Sequence, residues 1–260
     1  MSELNPVRIA VIGAGAMGRN HIRFVTEEPE AELVAIADAF EGARATAEAA
    51  GVPFYTDPAQ MMDEVKPEAV IIATPNDLHL GVAREAVKRN IVPLVEKPIS
   101  NDLEDAQAFA AEAETAGVPV LVGQHRRHNP FVNKAKEIIE SGAIGELTFV
   151  ESEYAHDYSH IYAAGSWRSD PARNGVVGGG CHAVDLLRWI AGDPEEVMAY
   201  GTHKTFADVT PYDDTHIAVL KFPNNVIGKV FISISCKRDY TMRSVFYGTR
   251  GTIIAVSYTH

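Results

Sequence analysis

The chain has 260 residues, enough for one large domain or two ordinary ones, and at 46% hydrophobic and 22% charged it has the composition of a globular protein. Its 35 acidic and 23 basic residues leave a net charge of −12, which argues against nucleic-acid and anionic-membrane partners, since both need a basic patch. Two cysteines, Cys181 and Cys236, cannot build a disulfide framework or a zinc site alone. The start, MSELNPVRIAVIG, has no basic, then apolar, leader, and no apolar run reaches membrane-spanning length, so a cytoplasmic protein is expected.

Taken in chain order, the first half alternates strands and helices. VRIAVIG (7–13) is a continuous β-branched run, as a strand buried on both faces should be. A helix pattern follows from Ala16 to about Thr26, then a strand at 32–38 and an alanine-rich helix at 41–50. Asp57-Pro58 opens a short helix, with a capping oxygen ahead of a proline in the first helical position. Strands at 68–74, 91–97 and 118–123 alternate with helices through Lys88, capped by Asn76, and through Ala116, where Asn101 and Glu104 have capping-box spacing. This is an α/β pattern of βαβ units, which predicts a doubly wound parallel sheet.

The second half reads differently. A helix at 131–141 precedes a long alternating strand at 146–156, a glycine-rich loop, a helix at 181–191, and strands at 196–202, 214–222, 226–236, 243–248 and 252–256. That order predicts an α+β domain with a largely antiparallel open sheet. The boundary is expected near Gly123, giving a dinucleotide-binding domain over 1–123 and a substrate-binding and oligomerisation domain over 124–260.

The strongest local signal is GAGAMG at the end of the first strand, with Gly13, Gly15 and Gly18 in G-x-G-x-x-G spacing around Ala16 and Met17. The first glycine allows the tight turn, the second lets a pyrophosphate approach the backbone, and the third lets helix and strand pack closely. Asp38 lies 20 residues after Gly18 at the end of the second strand, placed to accept hydrogen bonds from a ribose diol. That favours NAD as cofactor, although Arg44 could bend round to a 2′-phosphate and keeps NADP open. Three further stretches sit where parallel strands end and ligands of open α/β sheets bind: ATPNDLH (73–79), VEKP (95–98) and GQHRRHNP (123–130). Within the second, Pro98 pushes Lys97 into extended conformation and off the end of the sheet.

GAGAMG, ATPNDLH, EKP and HAVDLLRW (182–189) together resemble the Gfo/Idh/MocA family of glucose–fructose oxidoreductases and inositol dehydrogenases, over Val7 to about Ile254. The resemblance implies a Rossmann domain, an α+β domain whose open sheet often makes oligomer contacts, and NAD(P)-dependent oxidation or reduction of a sugar, cyclitol or related polyol. It implies a homo-oligomer; no metal is expected, since the spacing of the candidate ligands matches no recognised set. By the same resemblance Lys97 touches substrate hydroxyl and nicotinamide ribose, with Glu96 beside it, while Thr74, Pro75, Asn76 and His79 line the cofactor. Arg127, Trp167, Arg168 and Asp185 face substrate, and His182 is the active-site histidine.

One departure stands out. The family commonly carries an aspartate four residues before that histidine, where this chain has Gly178, so the carboxylate role passes to Asp157, to Asp185 or to none. His182 is expected to act as acid/base, since imidazole titrates near neutral pH, at about 6.5. As the start of a helix it would feel a positive dipole end that favours the neutral form. Lys97 is expected to ligate the hydroxyl and stabilise developing alkoxide charge. The expected mechanism sets one imidazole and one ammonium about the nicotinamide.

Glycines 178–180 would leave bare backbone for substrate or nicotinamide to pack against. Tyr154 and His156, in EYAHDYSHIY (153–162), read as hydroxyl-binding residues; the spacing of His156, Asp157 and His160 favours that over a metal site. Asp213 and Asp214 read as a solvated strand start, and Cys181 as core. The ending SYTH departs from the family pattern, which predicts a shortened or misassembled chain lacking sheet strands. A glycosidase that recycles its NAD and a non-enzymatic NAD or sugar sensor are the competing functions.

Overall fold

Two six-stranded sheets organise the computed structural model, which describes residues 5–162 and 173–258. The chain divides into two compact units, Met1–Gly123 and Gln124–His260.

In the first unit, β1 (Val7–Ile12), α1 (Ala16–Glu27), β2 (Ala31–Ala37), α2 (Arg44–Ala50), β3 (Phe54–Tyr55), α3 (Pro58–Val65), β4 (Ala69–Ile72), α4 (His79–Lys88), β5 (Val92–Val95), α5 (Leu103–Ala116) and β6 (Leu121–Val122) follow in order. The sheet runs β3-β2-β1-β4-β5-β6, all parallel. Alternate residues of the central strands feed two cores, Ala10, Ile12, Val70 and Ile72 on one face, Val11, Ile36 and Ile71 on the other. Each fully buried aliphatic side chain contributes roughly 1.5–3 kcal/mol, which is why these strands read as unbroken apolar runs.

Register decides where the chemistry emerges. Ile12 pairs with Ala37 and Ile72, and Ile72 with Val95, so the next residues, Gly13, Asp38, Ala73 and Glu96, leave the sheet side by side at its carboxyl edge. Two details depart from the expectation. The α5 cap is Asp102, which accepts from the Asp105 N–H at 2.8 Å, rather than Asn101. Asn76 does not cap α4; it opens a 3₁₀ turn and donates to Asn101 Oδ1 at 3.4 Å. Asp57 does cap α3.

The second unit holds α6 (Pro130–Glu140), β7 (Leu147–Ala155), α7 (Cys181–Ala191), β8 (Glu196–Thr202), β9 (Thr215–Lys221), β10 (Ile227–Ser233), β11 (Thr241–Gly248) and β12 (Thr252–Tyr258). The sheet order is β12-β11-β7-β10-β9-β8. Its central pair, β7 with β10, is parallel, so the sheet is mixed. The long excursion through α7, β8 and β9 permits that pairing, which a short hairpin could not. Ala183 and Leu187 of α7 share a core with Val150, Val230 and Ile232 of the sheet. The final stretch, expected as a strand over 252–256, forms β12, paired with β11 from Thr252 to Tyr258.

Asp214 is not a solvated strand start. It is 2% exposed, and its Oδ2 accepts from the Lys204, Thr205 and Phe206 N–H groups at 2.8–3.0 Å while Oδ1 accepts from Ser235 Oγ at 2.8 Å. Burial pushes its pKa up, but these donors outweigh burial and hold it below the usual carboxylate range. A lowered folded pKa contributes stability above the unfolded value of about 3.9 and loses it as pH falls toward the folded value. Melting temperature in Asp214→Asn should therefore be lower at neutral pH and fall less steeply on acidification than in the unmodified protein. Parallel curves would show that Asp214 carries no such linkage.

Candidate active site

The glycine turn after β1 is built by close approach. Gly13 has φ +93°, and a Cβ there would lie 2.6 Å from the Ala73 carbonyl oxygen; a Cβ on Gly18 would run into the Gly13 carbonyl oxygen. These contacts press α1 onto β1 and β4. Gly15 differs, because a Cβ there would meet nothing within 4 Å. It caps α1, whose first turn carries no acidic side chain and no side-chain cap, and Gly15, Ala16 and Met17 are exposed. The helix therefore presents open N–H groups and a positive dipole end, the arrangement that binds a phosphate.

Asp38 stands beside this turn. Its Oδ2 accepts from Ala14 N–H at 2.7 Å and its Oδ1 from Phe40 N–H at 2.8 Å, so backbone donors fix the carboxylate's orientation. Arg44 is tied to Glu41 at 2.5 Å and lies over the Phe54 ring at 4.8 Å, which takes it away from the phosphate-binding role left open for it.

Along the same edge, Thr74 Oγ1 is buried and has no hydrogen-bond partner among the described residues. Pro75 precedes the 3₁₀ turn that begins at Asn76. His79 is buried, its Nδ1 2.8 Å from the Pro98 carbonyl oxygen and its Nε2 2.9 Å from that of Thr74. The ring thus ties the segment after β4 to the segment after β5. Glu96 has a partner the sequence did not suggest: its Oε1 lies 2.8 Å from His21 Nε2 on α1, and its Oε2 accepts from Lys97 N–H at 3.1 Å. Burial raises the Glu96 pKa, but His21 and then Lys97 outweigh burial and hold the group below its ordinary range. Lys97 itself is half-buried.

In the second unit His182 is 3% exposed on α7. It does not start a helix. Backbone angles are already helical at Gly175, and a π-helical turn over Val176–Gly180 runs directly into α7. The dipole argument fails for His182, since that effect fades beyond the first turn. Two of the three glycines, Gly179 and Gly180, serve packing rather than the open backbone expected. A Cβ on Gly179 would enter the Tyr154 ring and one on Gly180 would enter Ile232, whereas one on Gly178 would meet nothing within 4 Å. Protein side chains fill the space at Gly179 and Gly180, and the Gly178 N–H already donates to Asn174 at 2.9 Å. A π-turn of this sort within a helix is common at functional sites.

Arg127 and Asp185 meet in a two-pronged ion pair, at 2.8 and 2.6 Å. Asp157 pairs with Lys237 at 2.8 Å. Tyr154, His156, Tyr158 and Tyr240 form a cluster, with His156 4.3 Å from Tyr154, 4.4 Å from Tyr158 and stacked at 4.3 Å on Tyr240. His156 is 1% exposed, and neither ring nitrogen has a well-formed hydrogen bond among the described residues. Burial first, then Arg238 and Arg126, lower its pKa to about 4, against a weaker pull from the Ala155 carbonyl. Burial raises the Tyr154 hydroxyl well above its usual value. Tyr158 lies in the same EYAHDYSHIY stretch, whereas Tyr240 was missed because a distant chain segment brings it here. Trp167 and Arg168 lie outside the described residues.

Residues 7–124 match the oxidoreductase family profile described as an NAD-binding Rossmann fold, and residues 132–254 match the Gfo/Idh/MocA C-terminal domain. The chain belongs to the Gfo/Idh/MocA family. Within that family it is 30% identical to inositol 2-dehydrogenase 2 of Saccharopolyspora erythraea, over 95% of this chain and 72% of that protein. It is 28% identical to the NAD⁺-dependent scyllo-inositol 2-dehydrogenase of Bacillus subtilis, over 98% and 75%. Among solved structures, the WlbA dehydrogenase of Bordetella pertussis, in complex with NADH and UDP-GlcNAcA, superimposes with a TM-score of 0.88 at 26% identity, covering 97% of this chain and 79% of that one.

The residues of this Gfo/Idh/MocA protein fit NAD. The open amides at Gly15, the oriented Asp38 carboxylate and the Thr74 hydroxyl are groups that a dinucleotide satisfies. No helix among the described residues is long and apolar enough to cross a membrane.

The glycine contacts give a paired test. Gly179→Ala forces a methyl into the Tyr154 ring and should cost about 1–3 kcal/mol in denaturant unfolding. Gly178→Ala, in open space on the same helix, should be neutral or stabilising by up to about 1 kcal/mol. Equal effects at the two positions would reject this account of the glycine run.

Proposed function

We propose that this protein is an NAD-dependent dehydrogenase acting on a hydroxyl-bearing carbon of a cyclitol, sugar or related polyol. The observation that carries the reading is the oriented Asp38 carboxylate beside an open helix N-terminus, in a chain 30% identical to an inositol 2-dehydrogenase. Asp38 suits a free ribose diol and repels a 2′-phosphate, and Arg44 is engaged elsewhere, which supports NAD over NADP.

NAD, when bound, supplies the hydride acceptor. This chain's residues manage the proton and the substrate's orientation. Lys97 ligates the substrate hydroxyl and stabilises charge as it develops on that oxygen. His182 takes the hydroxyl proton as general base in oxidation and returns it in reduction. His156, neutral near pH 7, offers one ring donor and one acceptor to a hydroxyl, and Tyr154 stays a phenol. The Arg127–Asp185 pair braces the substrate side of α7, while Trp167 and Arg168 are assigned there by family resemblance.

We infer a homo-oligomer from the second sheet. Met198, Tyr200, Ile217, Val219 and Ile227 share its outer face across β8, β9 and β10 and are all exposed, Tyr200 at 71%. Contiguous apolar exposure of this kind marks an interaction surface, and a second copy is the simplest occupant. Sedimentation should show a dimer or larger assembly that Tyr200→Asp dissociates. A monomeric parent protein would exclude the oligomer.

A panel of inositols, aldoses and sugar phosphates, with NAD⁺ or NADP⁺ and read at the NADH absorbance band, tests the activity. NADH should accumulate with a polyol and NAD⁺. Glycoside cleavage with no net NADH would instead indicate cofactor recycling, and binding without turnover a sensor. His182→Ala and Lys97→Met should each lower kcat by roughly 10²–10⁴-fold and leave NAD binding intact. Full turnover in either variant would remove that residue from the mechanism.

A further inference from the structure

A base buried on α7 needs a way to exchange its proton with water, and the candidate carboxylates do not offer one. Asp185 is held by both prongs of Arg127, and Asp157 by Lys237 and by the Ser159 N–H at 2.9 Å. Tyr154, with its ring 6.1 Å from that of His182, pairs its hydroxyl with Tyr158 and stays protonated. His156 binds a proton only in acid.

Among the described residues, one other imidazole touches His182. His125 opens the 3₁₀ turn His125–His128, and its ring stands edge-on to that of His182, centroids 4.7 Å apart and planes at 71°. His182 is buried and His125 is exposed. The pair therefore spans the step from interior to solvent. Imidazole is the side chain best suited to pass protons near neutral pH, since it gains and loses one there at little cost. Rotation about the broad χ2 torsion, or one intervening water, aligns the two rings for transfer.

We propose that His125 is the proton exit for His182, a positioning and proton-carrying residue that does not itself contact the reacting carbon. The proposal rests on the reading of His182 as acid/base. In oxidation the substrate O–H bond breaks and its proton moves to a His182 ring nitrogen; the C–H electron pair leaves with its hydrogen for NAD⁺, and a C=O bond forms. His182 then passes the proton to His125, which releases it to water or buffer. The balance is alcohol and NAD⁺ to carbonyl, NADH and one proton. Among the described residues, titratable and charged groups near the two rings include Arg126, donating to the Tyr240 hydroxyl, the Arg127–Asp185 pair, Tyr154 and the neighbouring Cys181.

The kinetic test uses the full chain with NAD⁺ and myo-inositol or scyllo-inositol, in dilute and in concentrated imidazole buffer. His125→Ala should lower kcat in dilute buffer at least about tenfold, short of the roughly 10²–10⁴-fold that a direct acid or base contributes. Added imidazole should restore most of that loss while KM for NAD⁺ stays unchanged, and the parent enzyme should not respond. A loss that imidazole does not restore, or no loss at all, overturns the proposal. His182→Ala is measured beside it. If that variant keeps full turnover, the acid/base reading fails and this proposal with it; if it is inactive while His125→Ala is unaffected, only the proton exit fails.

A second measurement needs no substrate. In the parent protein the His182 Cε1 proton, assigned by its loss in His182→Ala, should shift with pH in two steps as both rings titrate. In His125→Asn it should shift in one. An identical curve in both proteins overturns the proposal.

Discussion

The cofactor site depends on one close approach, that of the α1 backbone to the turn after β1. Gly18 lies so near the Gly13 carbonyl, and Gly13 so near Ala73, that no side chain fits at either position. This packing aims the positive end of α1 across the carboxyl edge of the sheet. It also brings His21, one turn further along α1, within 2.8 Å of Glu96 at the end of β5. The helix that offers amides to phosphate is thereby bonded to the residue that precedes Lys97. Cofactor binding and lysine placement share a support, although 75 residues separate their partners in the chain.

The second unit solves a similar problem with aromatic rings. Tyr154 presses into the surface left by Gly179, and Ile232 into that left by Gly180, so the glycine run buries side chains from β7 and β10 under a helix that widens into a π-turn. That seating fixes the height of α7 over the sheet and with it the buried position of His182. The same α7 holds Arg127 through Asp185, which anchors the turn carrying His125 beside His182. Gly178 thus lies in a helical run whose neighbours, Gly179 and His182, sit against the Tyr154 ring.

Much of this was legible in the residues. The Rossmann sheet followed from unbroken apolar strands between amphipathic helices, and the dinucleotide turn from three glycines with Asp38 at the right distance. The C-terminal limit of α7 and both limits of β8 came out as read. Errors gathered where a local signal met a nonlocal competitor. Asp102 displaced Asn101 as a cap, the parallel β7–β10 pairing made the second sheet mixed, and the glycine run proved helical. Asp214, read as solvated, is a buried acceptor for a distant loop.

By itself the sequence determined the fold class, the cofactor turn and the family, because each is written in short-range pattern: periodicity of apolar residues, glycine spacing, and a few residues on either side of a strand end. Tertiary structure alone decided the pairings that give those residues their chemistry. His21 with Glu96, His125 with His182, and His156 with Tyr240 each join positions far apart in the chain. A hydrogen bond or ring contact across such a separation has no local signature, since it forms only when the packing of whole helices and strands brings the two ends within a few ångströms.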